Sequence, residues 1–195
     1  TGEGGMVVTD NAALFARIQK LRDHGRPPGD RFFMNDEVAF KYKMSGVQAA
    51  LGIAQMERVD VLIAQKRQIF GWYADRLSGL PGLALNVEPQ EVRNSYWMVT
   101  VVPDSPGAPD KFALQAALAE RAIDSRPFFS RLTTLKAYEG QTECARFLPA
   151  EPVGAHIARH GLNLPSGYNM TEALVDHVSE VLKAVLRQNL PGDAG

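Results

Sequence analysis

The sequence predicts an α/β chain built around one long amphipathic helix, and two patterns carry that prediction. From Ser45 to about Leu77, apolar residues such as Val47, Leu51, Ala54, Leu62, Ile69 and Tyr73 hold a stripe at helical spacing. Beyond it, strand-like and helix-like stretches follow in the order β-β-α-β-α-β-α, the pattern of a small α+β layer with helices packed on one sheet. A helix of about nine turns exceeds the usual globular length, so it links two domains or braces a subunit contact. Two helices broken near Asp60 or Gly71 fit the same stripe.

Each element has a local reason. Thr1–Gly5 holds three glycines and reads as a turn, and Met6–Thr9 as a short strand. Asp10 or Asn11 can cap a helix over Ala12–Asp23, whose Leu14, Phe15, Ile18 and Leu21 share a face. His24-Gly25 ends it and Arg26–Asp30 is loop. Leu83–Val87 and Ser95–Val102 read as strands, the second rich in β-formers. Lys111–Ala122 is a helix capped by Asp110, Ile123–Phe129 a strand, and Thr133, Thr134 and Tyr138 belong to a loop. Pro152–His160 is a short helix, Leu162–Leu164 a strand, and Thr171–Arg187 the closing helix, with Glu172 in its first turn where the helix dipole favours an acid.

Composition narrows the function. The chain has 195 residues, 45% of them hydrophobic and 22% charged, with a net charge of -1. That balance lacks the basic excess expected of a nucleic-acid or membrane-surface binder. Cys144 is the single cysteine, which excludes an intramolecular disulfide and a cysteine zinc cluster and fits a reducing cytoplasm. No apolar run approaches a membrane span, and no signal peptide opens the chain. The first residue is Thr1, in the middle of a turn, so the sequence is expected to continue a longer chain.

Few residues suggest chemistry on their own. His24, His156, His160 and His177 have no metal-ligand spacing, and His177 on the closing helix reads as a surface or packing residue. His156 and His160 share a helical face, but lack a neighbouring acidic or cysteine ligand. Gly2–Gly5 precedes a strand and matches neither a dinucleotide fingerprint nor a P-loop. Arg126-Pro127-Phe128-Phe129 sets a planar cation beside apolar surface, which suits a phosphate or carboxylate. An edge-strand end with both rings in the core is the alternative. Lys41-Tyr42-Lys43 is either a solvated basic patch or an anion site near a helix start.

Four segments taken together resemble the DegT/DnrJ/EryC1/StrS family of pyridoxal phosphate (PLP)-dependent sugar aminotransferases. They are Thr1-Gly2-Glu3-Gly4-Gly5-Met6, Leu21-Arg22-Asp23-His24-Gly25, the Met44–Arg58 stretch with its Gln48-Ala49-Ala50-Leu51-Gly52 core, and Leu162–Gly167 followed by Thr171-Glu172. Asn94–Val99 and Arg126–Phe129 look closest to the perosamine-synthase-like branch.

The resemblance implies a fold type I transferase of which this chain is the C-terminal portion. Residues 1–44 would end the large PLP-binding domain, 45–79 form the connecting helix, and 80–195 the small α+β domain. It implies pyridoxal 5'-phosphate as cofactor, a nucleotide-linked 4-keto-6-deoxy sugar and an amino-acid donor as substrates, and a homodimer with shared active sites. The lysine that anchors the cofactor would precede Thr1, so no catalytic residue is assigned. Lys41 stands where many members carry asparagine that reaches the partner's cofactor phosphate; Lys43 replaces a more usual arginine nearby. His24 and Arg126 are then candidates for the sugar nucleotide. A PLP-dependent sugar dehydratase of the same family and a non-catalytic α+β oligomerisation module stay open beside this reading.

Overall fold

A computed structural model describes residues 1–140 and 152–189. Cys144 lies outside the described residues. The chain divides into two compact units, Thr1–Val59 and Asp60–Gly195.

The first unit is two helices and a pinned loop. Helix α1 spans Ala12–Leu21, and Asn11 Oδ1 accepts the Leu14 N–H at 3.0 Å to cap it. Helix α2 spans Gly46–Met56 and starts with a capping box between Ser45 and Gln48. Between them, Arg17 pairs with Glu37 through both guanidinium nitrogens, and Lys20 meets Asp36 at 2.8 Å. These pairs fold the loop back so that Asp23 and Lys41 form an isolated antiparallel bridge. Gly25 makes the fold-back possible: its φ is 72°, and a Cβ there would collide with the Glu37 carbonyl oxygen. Met6–Thr9 forms no strand, because a strand needs a partner and none of the described residues pairs with it.

The stripe over Ser45–Leu77 is two helices and not one, the alternative the sequence left open, with the break close to Asp60. Helix α3 spans Val59–Leu77, and Glu57 and Arg58 separate it from α2. The end of α2 tightens there: the Arg58 N–H donates to Gln55 O at 3.3 Å, three residues back instead of four.

The second unit holds a four-stranded antiparallel sheet in the order β1-β2-β4-β3, with β1 at Leu83–Leu85, β2 at Val99–Pro103, β3 at Arg126–Pro127 and β4 at Leu162–Leu164. Helix α4 spans Lys111–Ala119, α5 Pro152–His160 and α6 Glu172–Asn189. The core gathers Ile69, Tyr73 and Leu77 of α3, Leu114 and Leu118 of α4, and Val175, Val178, Leu182 and Val185 of α6. They pack with Val99 and Val101 of β2 and Leu162 and Leu164 of β4.

Several elements are shorter than predicted: the helix from Ala12 ends at Leu21, the Leu83–Val87 strand at Leu85, and the Ile123–Phe129 strand keeps a ladder only at Arg126–Pro127. Two others show their reasons. The Ser95–Val102 strand begins only at Val99, because Tyr96 sits at φ 49° with its N–H on Asn94 Oδ1 at 2.8 Å. The Lys111–Ala122 helix stops at Ala119, because Ala122 turns left-handed (φ 59°) and the Ile123 N–H returns to Leu118 O at 3.0 Å. Among the described residues, no helix is long and apolar enough to cross a membrane.

Candidate functional site

In the first unit, the Arg22 carbonyl accepts the N–H groups of both Tyr42 and Lys43 at 2.9 Å. That pairing lays Lys41–Lys43 against the end of α1. It forms one side of a cleft of about 820 Å³, whose other side includes Gly4, Gly5 and Gln48. Lys41 and Lys43, the two residues expected at a phosphate, both line it, but they are not equivalent. Lys43 Nζ is held by Asp23 Oδ2 at 3.0 Å, and this hydrogen bond keeps the Asp23 carboxyl below the usual carboxylate range. Lys41 Nζ has only the Lys43 carbonyl, at 3.2 Å, and no carboxylate among the described residues.

Arg22 also lines this cleft, and its buried Nε has no acceptor. A cofactor phosphate fits these cations: it would give Lys41 an anionic partner beside the positive charge of Arg22 while leaving the Lys43–Asp23 pair closed. In sequence Arg22 belongs to the Leu21–Gly25 segment that carries the family resemblance, but nothing there marks it as a phosphate ligand. His24 stands beside the bridge in the left-handed region, at φ 64°, with its N–H on Phe40 O at 2.9 Å. A non-glycine residue held there costs energy that the surrounding structure must supply, a recurrent feature of functional positions.

In the second unit, Arg126 lies in register with Asn163, and Asn163 with Thr100. The three form a polar row across the sheet, and the Thr100 hydroxyl donates to Asn163 Oδ1 at 2.7 Å. The Arg126 side chain is 74% exposed and meets Asp124 at 3.1 Å. Phe128 and Phe129 touch edge to face at 5.6 Å, with Phe129 exposed, so the pair does not belong to the core.

Arg126 borders a cleft of about 440 Å³, bounded also by Ser125, Ser166, Met170 and His177. His177 therefore lines a concave surface that the sequence did not indicate. One wall is the loop after β4, clasped by α3: Gln65 Nε2 donates to Tyr168 O (2.8 Å), Lys66 Nζ to Ser166 O, and Tyr73 Oη to Pro165 O (2.9 Å). Burial pushes the Lys66 ammonium below its ordinary range and the Tyr73 phenol above its own.

A second knot fixes the approach to β2. Arg67 forks onto Glu88 at 2.6 and 2.9 Å, Glu88 accepts the Asn94 N–H at 2.8 Å, and Arg67 lies 5.3 Å over the Tyr96 ring. The Arg67 hydrogen bonds, then the Asn94 amide, hold the Glu88 carboxyl down to about 2.

His156 and His160 face each other at 4.7 Å. His156 Nε2 lies 3.2 Å from Asp104 Oδ1, and His160 Nδ1 lies 2.9 Å from Pro109 O. His160 ties α5 to the loop before α4, while His156 Nε2 is near Asp104 without a hydrogen bond to it. Among the described residues, no group of three or more His, Cys, Asp or Glu is placed to hold a metal ion.

The chain is 33% identical over 183 residues to the GDP-perosamine synthase of Vibrio cholerae, covering 94% of this chain and 48% of that protein. It is 34% identical over 193 residues to the GDP-perosamine synthase of Caulobacter vibrioides, covering 95% and 49%. The chain thus spans about half the length of the curated relatives it matches. The fold matches a putative sugar aminotransferase, Spr1654 of Streptococcus pneumoniae, solved in its PLP form, with a TM-score of 0.75 at 20% identity, over 96% of this chain and 47% of that one. The fold is thus that of the fold type I PLP-dependent transferases, and pyridoxal phosphate is the cofactor of the group. The model of the DegT/DnrJ/EryC1/StrS aminotransferase family covers residues 1–183, and the chain belongs to that family.

Proposed function

We propose that this chain is the C-terminal portion of an aminotransferase that moves an amino group from an amino-acid donor, glutamate by preference, to a nucleotide-linked 4-keto-6-deoxy sugar. Its similarity to two GDP-perosamine synthases over nearly its whole length supports the substrate class. The observation that carries the cofactor reading is the Lys41 ammonium. It lines the first cleft without a carboxylate partner among the described residues, in a lining that also includes Arg22.

Pyridoxal phosphate, when bound, supplies an electron sink next to the carbon that gains or loses the amino group. This chain's residues hold and orient. Lys41 and Arg22 neutralise the phosphate, and Lys43 stays with Asp23 to keep the segment in place. His24 and Arg126 face the sugar nucleotide, with Arg126 on a diphosphate oxygen. The cofactor-anchoring lysine belongs to sequence before Thr1, and the phosphate that Lys41 meets belongs to a second copy in a homodimer. A cytoplasmic enzyme fits these substrates.

Two substitutions in the intact enzyme test the assignment. Lys41→Ala weakens PLP retention more than it slows turnover at saturating cofactor; an unchanged PLP dissociation constant removes Lys41 from the site. Arg126→Ala raises KM for the nucleotide sugar by about 10- to 100-fold, the equivalent of a charge-assisted contact worth about 1.5–3 kcal/mol. A change confined to the KM of the amino donor would place Arg126 elsewhere.

A further inference from the structure

The loop between β4 and α6 has an unusual hydrogen-bond ledger. All four carbonyls of residues 165–168 are occupied: Tyr73 Oη donates to Pro165 O, Lys66 Nζ to Ser166 O, the Met170 N–H to Gly167 O at 3.1 Å, and Gln65 Nε2 to Tyr168 O. The N–H groups of Ser166, Gly167, Tyr168 and Asn169 have no acceptor among the described residues. A run of peptide units whose acceptors are all engaged and whose donors are all open is a donor surface, of the kind that receives anions. The Lys66 ammonium, 4.9 Å from the Tyr168 ring centroid, adds a fixed positive charge behind it.

The second observation is the cleft itself. Of the four residues with open N–H groups, Ser166 lines it, together with Met170, Arg126, His177 and Ser125, and residues 167–169 continue the loop at its exposed rim. Ser125 is 3% exposed, and its hydroxyl has no partner. The acids nearby do not oppose an anion. Glu172 and Asp176 at the start of α6 are both bound by Arg76 of α3. Asp124 holds Arg126 only through an exposed pair, which opens at little cost.

We propose that this end of the cleft is a diphosphate-binding site, in which the N–H groups of residues 166–169 and the Arg126 guanidinium share the oxyanion. Gln65, Lys66 and Tyr73 of α3 are its positioning residues, because they draw the loop's carbonyls away from the ligand. The occupant rests on the reading of Arg126 given above; the donor surface does not.

The test uses the full 195-residue chain, labelled with ¹⁵N and titrated with inorganic pyrophosphate or with glutarate, a dicarboxylate of comparable charge. Pyrophosphate should move the amide signals of Ser166, Gly167, Tyr168 and Asn169 saturably, and glutarate should not. Lys66→Met should weaken pyrophosphate binding about fivefold, and Lys66→Arg should restore it to within about twofold, since the donor and charge return. Equal response to both anions, pyrophosphate shifts confined to other residues, or wild-type binding by Lys66→Met would overturn the proposal. The two readings separate in the intact enzyme. Binding at the loop with an unchanged nucleotide-sugar KM in Arg126→Ala overturns the assigned occupant. A raised KM without any loop response overturns the loop site and leaves the role of Arg126.

Discussion

Single residues set the fixed points of both units. Gly25→Ala tests the first: a methyl group at φ 72°, directed at the Glu37 carbonyl, forces the loop that carries Lys41 to shift. The expected cost is about 1–3 kcal/mol, and the Asp23–Lys41 bridge should loosen, which urea unfolding and the Lys41 amide shift would report. Glu88 tests the second. Its carboxyl is held at about 2 in the folded chain, against about 4.3 for an unperturbed glutamate, so the unfolded chain takes up its proton first. The Glu88 contribution is therefore complete above about pH 4.3 and fades as pH falls toward 2. Glu88→Gln should flatten the acid limb of the stability curve in that window; an unchanged limb would show the Arg67 fork contributes nothing. Such fixed points are hard to read in sequence. His24 lies in one of the four family segments, while Lys41, Lys43 and Arg126 stand in a basic patch and an Arg-Pro-Phe-Phe run that suit an anion. Arg22 shares the His24 segment without a chemical signal of its own, and nothing local distinguishes Lys66 from other helix cations. The significance of Arg22 comes from a buried nitrogen left without an acceptor, and that of Lys66 from the Ser166 carbonyl it holds.

At the scale of elements, legibility followed how local the cause is. Caps and stops are local: Asn11, Ser45 and Asp110 sit where helices begin, and the short strand Leu162–Leu164 has its predicted bounds. Strand pairing is not local, so Met6–Thr9 has strand chemistry and no ladder, and the Ser95 stretch loses its first half to the Tyr96 kink. The long apolar stripe reads through Glu57 and Arg58 because a tightened turn shifts phase only slightly, and periodicity cannot see it. Helix α3 shows what tertiary context adds. Tyr73 is fully buried in the core, while its hydroxyl reaches Pro165. Tyr73→Phe keeps the ring and removes the donor, so it should cost about 0.5–1.5 kcal/mol, while Tyr73→Ala should cost about 3–5. Chemical denaturation of the two variants with unchanged m-values would check the partition. Equal losses would mean that the hydroxyl, and not the ring, holds the loop.

The molecule as a whole is unevenly stabilised. Every buried apolar side chain among the described residues lies from Ile69 onward, in the second unit. Helices α1 and α2 bury no residue fully, and the first unit leaves Met6 84%, Val8 85% and Val38 99% exposed. Ordering a segment costs about 1–2 kcal/mol per residue in backbone entropy, and only buried apolar area of sufficient extent offsets that. The first unit has mainly caps and exposed ion pairs, which offset little of that cost. The second unit has a sheet whose core is shared with helices α3, α4 and α6. Amide hydrogen exchange of the 195-residue chain should therefore separate into two classes. Amides of α3, α4, α6, β2 and β4 should exchange near the global unfolding rate, and those of α1, α2 and the Asp23–Lys41 bridge should exchange orders of magnitude faster. If the intact enzyme is assembled as proposed, α1 and α2 should join the slow class there, because their apolar faces would then be covered. Uniform protection in the 195-residue chain would show that the first unit is stabilised by something other than burial. Fast exchange of α1 and α2 in the intact enzyme would show that their exposed faces stay uncovered.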